Sequence, residues 1–406
     1  MAFDPAESSR YSLWRGTAAE TAWAETPSTP ALTQIPITGG FPEHVKSTVR
    51  TNVLDGLGMM GQLIQTAQEA RLTAPFELTI QDFQWAFEGV LRNTYSAISI
   101  VSATDISAST TDDSFNSTTT NFVTANIKTG TWFKVAGFVD AANNGIFRAA
   151  TVTTTKVIVN AKITTAGVIT LTPNLVTEIA PADVDITGKF ARNANIEKSY
   201  LLEARVTDIA TAHYETYRGM RPAQLDITVT AGAIITGSLQ MVGERGRLGT
   251  ATVGSGDTVW SSAPSIVAGT NIGTILEGGA ILAANLPQEI AFSLNANARV
   301  DRAVTAITPV GIGYGRWGAS GSMRTYFESV AMRTKFVNHT ATSLVIPFAD
   351  IAGNVLIVSF PSLQFATNPM TPTDPDSPLS APYTWEAQPT GAATTDYMAE
   401  IDILVA

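Results

Sequence analysis

The sequence predicts a mainly β protein: two tandem β-sandwich modules, each with a short helix, and a small all-β domain inserted into the first. Three observations predict this. Residues 196–243 alternate apolar and polar side chains with the period of two that a strand requires. The order strand, long connection, strand, helix, strands occurs twice along the chain. The composition changes abruptly near Ile98 and changes back near residue 187. The expected boundaries are residues 1–97 with 188–250 for the first module, 98–187 for the insertion and 251–406 for the second module.

Composition narrows the function classes. The chain has 406 residues, a net charge of -10, 45% apolar residues and only 15% charged residues. Such a length supports more than one core. Few charges and many small or hydroxyl residues point to surface buried against other subunits; a hydroxyl-rich β protein standing alone is the plainer reading. There are no cysteines, so disulfides and thiolate metal sites are excluded. Residues 1–16 carry no secretory pattern, and no apolar run reaches the ~18–20 residues of a membrane helix. The expectation is a protein made in a cytoplasm, with no membrane partner. The acidic balance argues against a sequence-reading nucleic-acid binder, but not against a wall past which DNA slides.

In chain order, residues 1–30 read as an arm with one short strand, Tyr11 to Gly16, followed by a strand from Leu32 to Thr38. Phe41 to Gln65 is a long, mixed-charge, glycine-bearing connection; such length calls for a task, although a surface loop without one is the alternative. Thr66 to Ile80 reads as strand. Gln81 to Arg92 places Phe83, Phe87, Val90 and Leu91 at helical spacing. Within the insertion, Asn143-Asn144-Gly145 predicts a tight hairpin turn. Residues 244–270 are rich in Gly, Ser and Thr and read as a linker. The second module then runs as strand (289–294), long connection (295–317), strand (319–326), helix (327–338), strands (344–348 and 355–360), a Pro-rich loop (370–382) and final strands.

No chemistry-bearing constellation emerges. His44, His213 and His339 lack metal-ligand spacing. Gly313-Tyr314-Gly315-Arg316-Trp317-Gly318 matches GxGxxG, but no βαβ unit surrounds it. No P-loop or nucleophile elbow occurs. The expectation is no enzyme activity, no metal and no cofactor.

The stretch from Ile196 to Gly243 resembles a known family, the tail tube proteins of long-tailed, non-contractile bacteriophages. The resemblance is carried by the strand at Glu203, by Tyr217-Arg218-Gly219-Met220, by Leu225-Asp226-Ile227-Thr228-Val229, and by Ile235 through Gly243. It implies tail-tube-type modules, each giving about four strands to an inner barrel with six modules per ring. Twenty-four strands spaced about 4.8 Å and tilted about 40° leave a bore near 40 Å; twelve leave about 15 Å, too narrow for duplex DNA. A chain with two modules would therefore form a trimeric, pseudo-sixfold ring. The resemblance further implies ring-stacking loops at residues 41–65 and 295–317, with Lys46, Arg50, Asp55, Met59, Arg299, Asp301, Arg302 and Arg316 as candidates. The implied partners are further copies of the chain, a tape-measure protein inside, terminator and tip proteins at the ends, and DNA in transit. The implied location is the virion tail, after assembly in the host cytoplasm. Glu77 and Glu203 are candidate lumen carboxylates, with ion pairs to neighbouring subunits as the other reading. A different virion tail component, a terminator or baseplate protein, is the competing class.

Overall fold

The computed structural model describes the chain except residues 1–5, 26–28, 53–59, 164–166, 180, 182, 261–264, 371–375, 392–395 and 406. The first strands are β1 (Ser12–Gly16), β2 (Leu32–Ile35), β3 (Glu43–Arg50) and β4 (Leu63–Glu77), followed by helix α1 (Gln84–Leu91). Next come β5 (Ser96–Ala103), β6 (Ile106–Ser109), β7 (Ser114–Ser117), β8 (Trp132–Ala136), β9 (Gly145–Val152), β10 (Lys156–Ile163), β11 (Ile169–Thr170) and β12 (Val184–Arg192). β13 (Tyr200–Val206), β14 (His213–Thr230), β15 (Thr236–Gly243), β16 (Gly246–Gly249), β17 (Leu276–Glu277) and β18 (Ala280–Ile281) follow. The chain ends with β19 (Pro287–Asn295), β20 (Ala298–Asp301), β21 (Gly311–Tyr314), β22 (Gly318–Tyr326), helix α2 (Ala331–Val337), β23 (Thr342–Ala349), β24 (Val355–Thr367), β25 (Ser380–Ala387) and β26 (Glu400–Leu404).

The fold is mainly β, as expected. One antiparallel strip runs β3-β4-β15-β14-β19-β22-β25-β24. Its pairing order repeats: β3-β4-β15-β14 is matched by β19-β22-β25-β24. β13 pairs with the first part of β14, and β23 with the first part of β24. The irregularities repeat too. β14 bulges opposite Tyr200/Leu202 and shifts register at Pro222/Gln224. β24 bulges opposite Thr342/Leu344 and shifts at Phe365/Thr367. The same number of residues separates Met220 from Leu363, Pro222 from Phe365 and Gln224 from Thr367. Bulges fix register, so the coincidence ties the two halves strand by strand where residue identity does not.

One face of the strip is core. Ala70, Leu72, Ala74 and Phe76 on β4 alternate inward, as do Ile290, Phe292 and Leu294 on β19 and Tyr383 and Trp385 on β25. α1 packs on this face with Trp85, Phe87, Val90 and Leu91 buried, and Phe76 stacks on Phe83 at 3.8 Å. Arg92 closes α1 in the left-handed conformation. Gly321 is required by close packing: a Cβ there would lie 2.4 Å from the Ala291 carbonyl oxygen and 2.3 Å from the Trp385 ring.

Several expectations change. Phe41 to Gln65 is no irregular loop: β3 and β4 pair from Glu43↔Arg71 to Arg50↔Leu63. Residues 295–317 contain a second hairpin, β20–β21. The turn expected at Asn143-Asn144-Gly145 is a loop over 137–144. The Asn144 side chain ties that loop by bonding Phe138 N and O at 3.0 and 2.7 Å. The expected linker is docked, because β16 pairs with β14 and Val253 N donates to Glu203 at 2.8 Å.

The insertion has its own core around Phe115, Phe133 and Phe147. Its borders are strands, since β5 pairs with β12 and β12 also pairs with β26. A further apolar cluster joins Trp132, Ile163 and Ile169 to Val345, Ile357 and Leu404. The inserted strands thus pack against the C-terminal half, beyond the two chain connections expected.

Candidate functional site

No furnished cavity dominates the described residues. What the fold presents instead is three surfaces: a polar face, a hairpin end and two open strand edges.

The polar face is the reverse of the core face. On β4, β15, β14, β19, β22 and β25 the outward side chains are mostly Ser, Thr, Ala and Gln. Its exposed or half-buried charged groups are Arg71, Glu77, Asp226, Glu289, Arg324 and Glu386, four carboxylates against two guanidinium groups, with a fifth carboxylate, Glu69, buried beside Arg71. The face is hollowed, with Asp226, Thr228, Ser293, Ser322, Thr384 and Glu386 lining one depression. Glu77 lies on this face, half-buried, and accepts a hydrogen bond from the Ser265 hydroxyl at 2.6 Å.

Glu203 does not lie there, which corrects the expectation for that residue. It sits on β13 in the other layer and is 0% exposed. Its carboxylate takes bonds from Arg205 at 2.6 Å, Thr252 Oγ1 at 2.8 Å and Val253 N at 2.8 Å. Arg205 also reaches Asp257 at 2.7 Å and lies 4.1 Å over the Trp14 ring. The group clamps residues 252–257 onto that layer. Glu203→Ala should cost about 3 kcal/mol, because it orphans part of a buried ion pair. A lower urea midpoint with an unchanged slope would register that cost.

The hairpin end gathers most of the candidate stacking residues. β4 and β22 run the same way in the strip, and a hairpin precedes each, so both hairpins emerge at one end. Lys46 and Arg50 lie on exposed β3; Arg50 Nη1 donates to Gly61 O at 3.3 Å. On the second hairpin, Arg299 pairs with Asp301 at 3.2 Å and Arg316 is exposed. Arg302 reaches across to Glu69 of β4 at 2.5 Å, and Gln68 N donates to Ile307 O at 2.8 Å. The two hairpins are therefore tied together. Asp55 and Met59 fall outside the described residues.

Two features escaped sequence reasoning. Glu69 is only 3% exposed and joins Arg302 to Arg71, whose Nε lies at 2.6 Å. His44 and His213 bracket Glu215 at 3.3 and 2.8 Å, and the Tyr217 hydroxyl bonds both Glu215 and Pro42 O. Burial alone would raise the Glu215 carboxyl, but donation from Tyr217 and His213 outweighs it and holds that group below its ordinary range. This cluster pins the base of the first hairpin to β14. The only sequence signal was the alternation of His213, Glu215 and Tyr217 on one strand face.

The open edges lie at the two ends of the strip. Among the described residues β3 pairs on one side only, with β4. The last residues of β24 pair on one side only, with β25. Inside the strip, β19, the counterpart of β3, pairs with β14 from Gln224↔Asn295 to Thr230↔Glu289, and Gln224 corresponds to Thr367, where β24 ends.

Comparison with known families matches residues 16–387 to the family described as Phage tail tube protein. The chain belongs to that family. It is a structural subunit of a phage tail tube and a component of the virion tail. No curated protein matched the chain. For a tail tube protein, surfaces rather than pockets are the working parts, and among the described residues this chain presents a polar face, a hairpin end and open strand edges. Among the described residues no cluster of three or more His, Asp or Glu side chains is placed to hold a metal ion.

Proposed function

We propose that three copies close edge to edge into a ring, and that rings stack into a hollow conduit for double-stranded DNA. The observation that carries this reading is the seam between β14 and β19. Each chain contains two four-strand units joined at that seam. It leaves β3, the counterpart of β19, open on one side, and β24 ends at Thr367, the counterpart of Gln224 at which the seam begins. In the ring, the end of β24 takes the part of β14 and β3 of the next copy takes the part of β19. Three chains of eight strands then give the 24 strands that leave a bore of about 40 Å at a tilt of about 40°. Closure also removes the open edges that invite aggregation.

The polar, hollowed face then becomes the inner wall. Its carboxylate excess suits passage, since each cation that neutralises a phosphate adds affinity and slows sliding. Glu77 is the lumen carboxylate in this arrangement, together with Asp226, Glu289 and Glu386. The insertion faces outward. A tape-measure protein fills the tube before DNA, and terminator and tip proteins cap its ends. Assembly takes place in the host cytoplasm.

Cryo-electron microscopy of rods grown from the purified chain tests the reading. The expected result is three chains per ring around a 24-strand wall. Six chains per ring, or discrete particles that never stack, would overturn it; the latter outcome favours a terminator or baseplate role.

A further inference from the structure

The two ends of the strip differ in charge and both carry exposed apolar side chains. At the hairpin end, Lys46, Arg50 and Arg316 are exposed and have no carboxylate partner among the described residues. Beside them Val49, Leu63 and Ile64 are 56%, 53% and 51% exposed, and Val304 and Ile307 of the second hairpin are open as well. A hydrocarbon stripe flanked by unpaired cations is a surface awaiting a partner of opposite character.

The opposite end of the same chain has that character. Tyr326 ends β22, its N–H donates to Leu286 O at 3.0 Å, and Phe327 N donates to Leu379 O at 2.9 Å. These bonds gather Leu286, Tyr326 and Leu379 into one exposed apolar group, with Val330 just beyond. Glu328 sits among them, exposed and, among the described residues, with no cation against its carboxylate; its backbone N–H is held by Asn285 at 2.9 Å. Glu289 flanks the group and lies 3.6 Å from Arg324, the cation at the end of β22.

We infer that the hairpin end of one copy docks on the Leu286–Tyr326–Glu328–Val330 end of a copy in the next ring, head to tail. The inference rests on the tube reading and adds the receiving surface and the chemistry that selects it. The apolar groups supply contact area, and the charges set polarity. Hairpin end against hairpin end places cations against cations, so only one stacking direction is favourable. A single exposed ion pair is weak. The effect comes from repetition at every chain of a ring, and it fades as salt shortens the screening length from ~10 Å at 0.1 M to ~3 Å at 1 M.

The test uses the full-length chain and counts rods by pelleting and negative stain. Lys46→Glu with Arg316→Glu, and separately Glu289→Lys with Glu328→Lys, should each cut the pelleted fraction at least tenfold. Mixing the two variants should restore rods, because each then offers the other a complementary end. Unchanged rod yield in either variant, or no recovery on mixing two proteins with intact circular dichroism, overturns the inference. Should a variant fail to fold, unmodified protein decides: rod yield should fall between low and molar NaCl, and a flat response overturns the inference. If unmodified chain gives no rods at any salt, the tube reading fails instead.

Discussion

Replacing residues 51–62 by an Asn-Gly turn between Arg50 and Leu63 should leave a folded protein that no longer makes rods. Among its described residues, the distal hairpin contributes nothing to the core. Leu63 to Thr66 are all exposed, and the first fully buried apolar residue of β4 is Ala70. Little apolar burial is lost, so the melting temperature should move by no more than about 2 °C. The proposed stacking surface, by contrast, loses residues 51–62. Rods should fall by more than about a hundredfold, while single rings persist in sedimentation. The cluster at the hairpin base, His44 with Glu215 and Tyr217, stays intact and keeps β3 in register for the proposed ring closure. Normal tubes from the shortened chain would show that residues 51–62 have no part in stacking.

That hairpin was not readable as strands, and the reason is physical. Period-two patterning records one wet face and one dry face. His44-Val45-Lys46-Ser47-Thr48-Val49 is exposed on nearly every residue, so the strand pairs without writing any alternation. The strip interior was legible because each of its strands has a core face, as at Leu225, Ile227 and Val229. The position of Glu203 was only half legible. Alternation separates Glu203 from Leu202, but no local pattern says that residues 252–257 return to cover one face. The repeat was readable as an order of elements, whereas its best signature, the matched bulges at Pro222/Gln224 and Phe365/Thr367, exists only in the pairing. The Asn-Gly signal marked a real hairpin, β8 with β9, but not its turn, because a side chain, Asn144, has a stronger local use within a longer loop.

Excising residues 104–183, with Ala103 joined to its partner Val184 by a short turn, should cripple the protein rather than spare assembly, as a loosely tethered insertion would allow. The cut removes Trp132, Ala161, Ile163 and Ile169 from Val345, Ile357 and Leu404. Losing that cover forfeits about 5–10 kcal/mol at about 1.5–3 kcal/mol per large side chain, a sum comparable to the stability of a typical domain. Insoluble chain, or a melting temperature lower by more than about 10 °C, is the expected readout. Soluble protein with native stability would show that the shared cluster contributes little.

The same contact contains a buried acidic pair whose pH dependence reports on it without any deletion. Glu400 and Asp402 project from β26 toward the insertion. Arg192 of β12 pairs with Glu400, Trp132 N of β8 donates to Asp402 at 3.1 Å, and Arg148 of β9 adds its charge nearby. Burial, and then the neighbouring Glu400 charge, push the Asp402 carboxyl well above its ordinary range. Between the ordinary Asp value, about 3.9, and that raised value, the folded chain holds a proton that the unfolded chain releases. The group's contribution is therefore most favourable below the ordinary value and is lost as pH rises through the raised one. Asp402→Asn keeps an oxygen for Trp132 N and cannot ionise. It should melt a few degrees higher than the unmodified protein at pH 8 and no higher near pH 3.5, with Glu400, also raised by burial, retaining part of the slope. Equal offsets at both pH values would mean that Asp402 does not titrate between the folded and unfolded states, and that the insertion does not seal it from water.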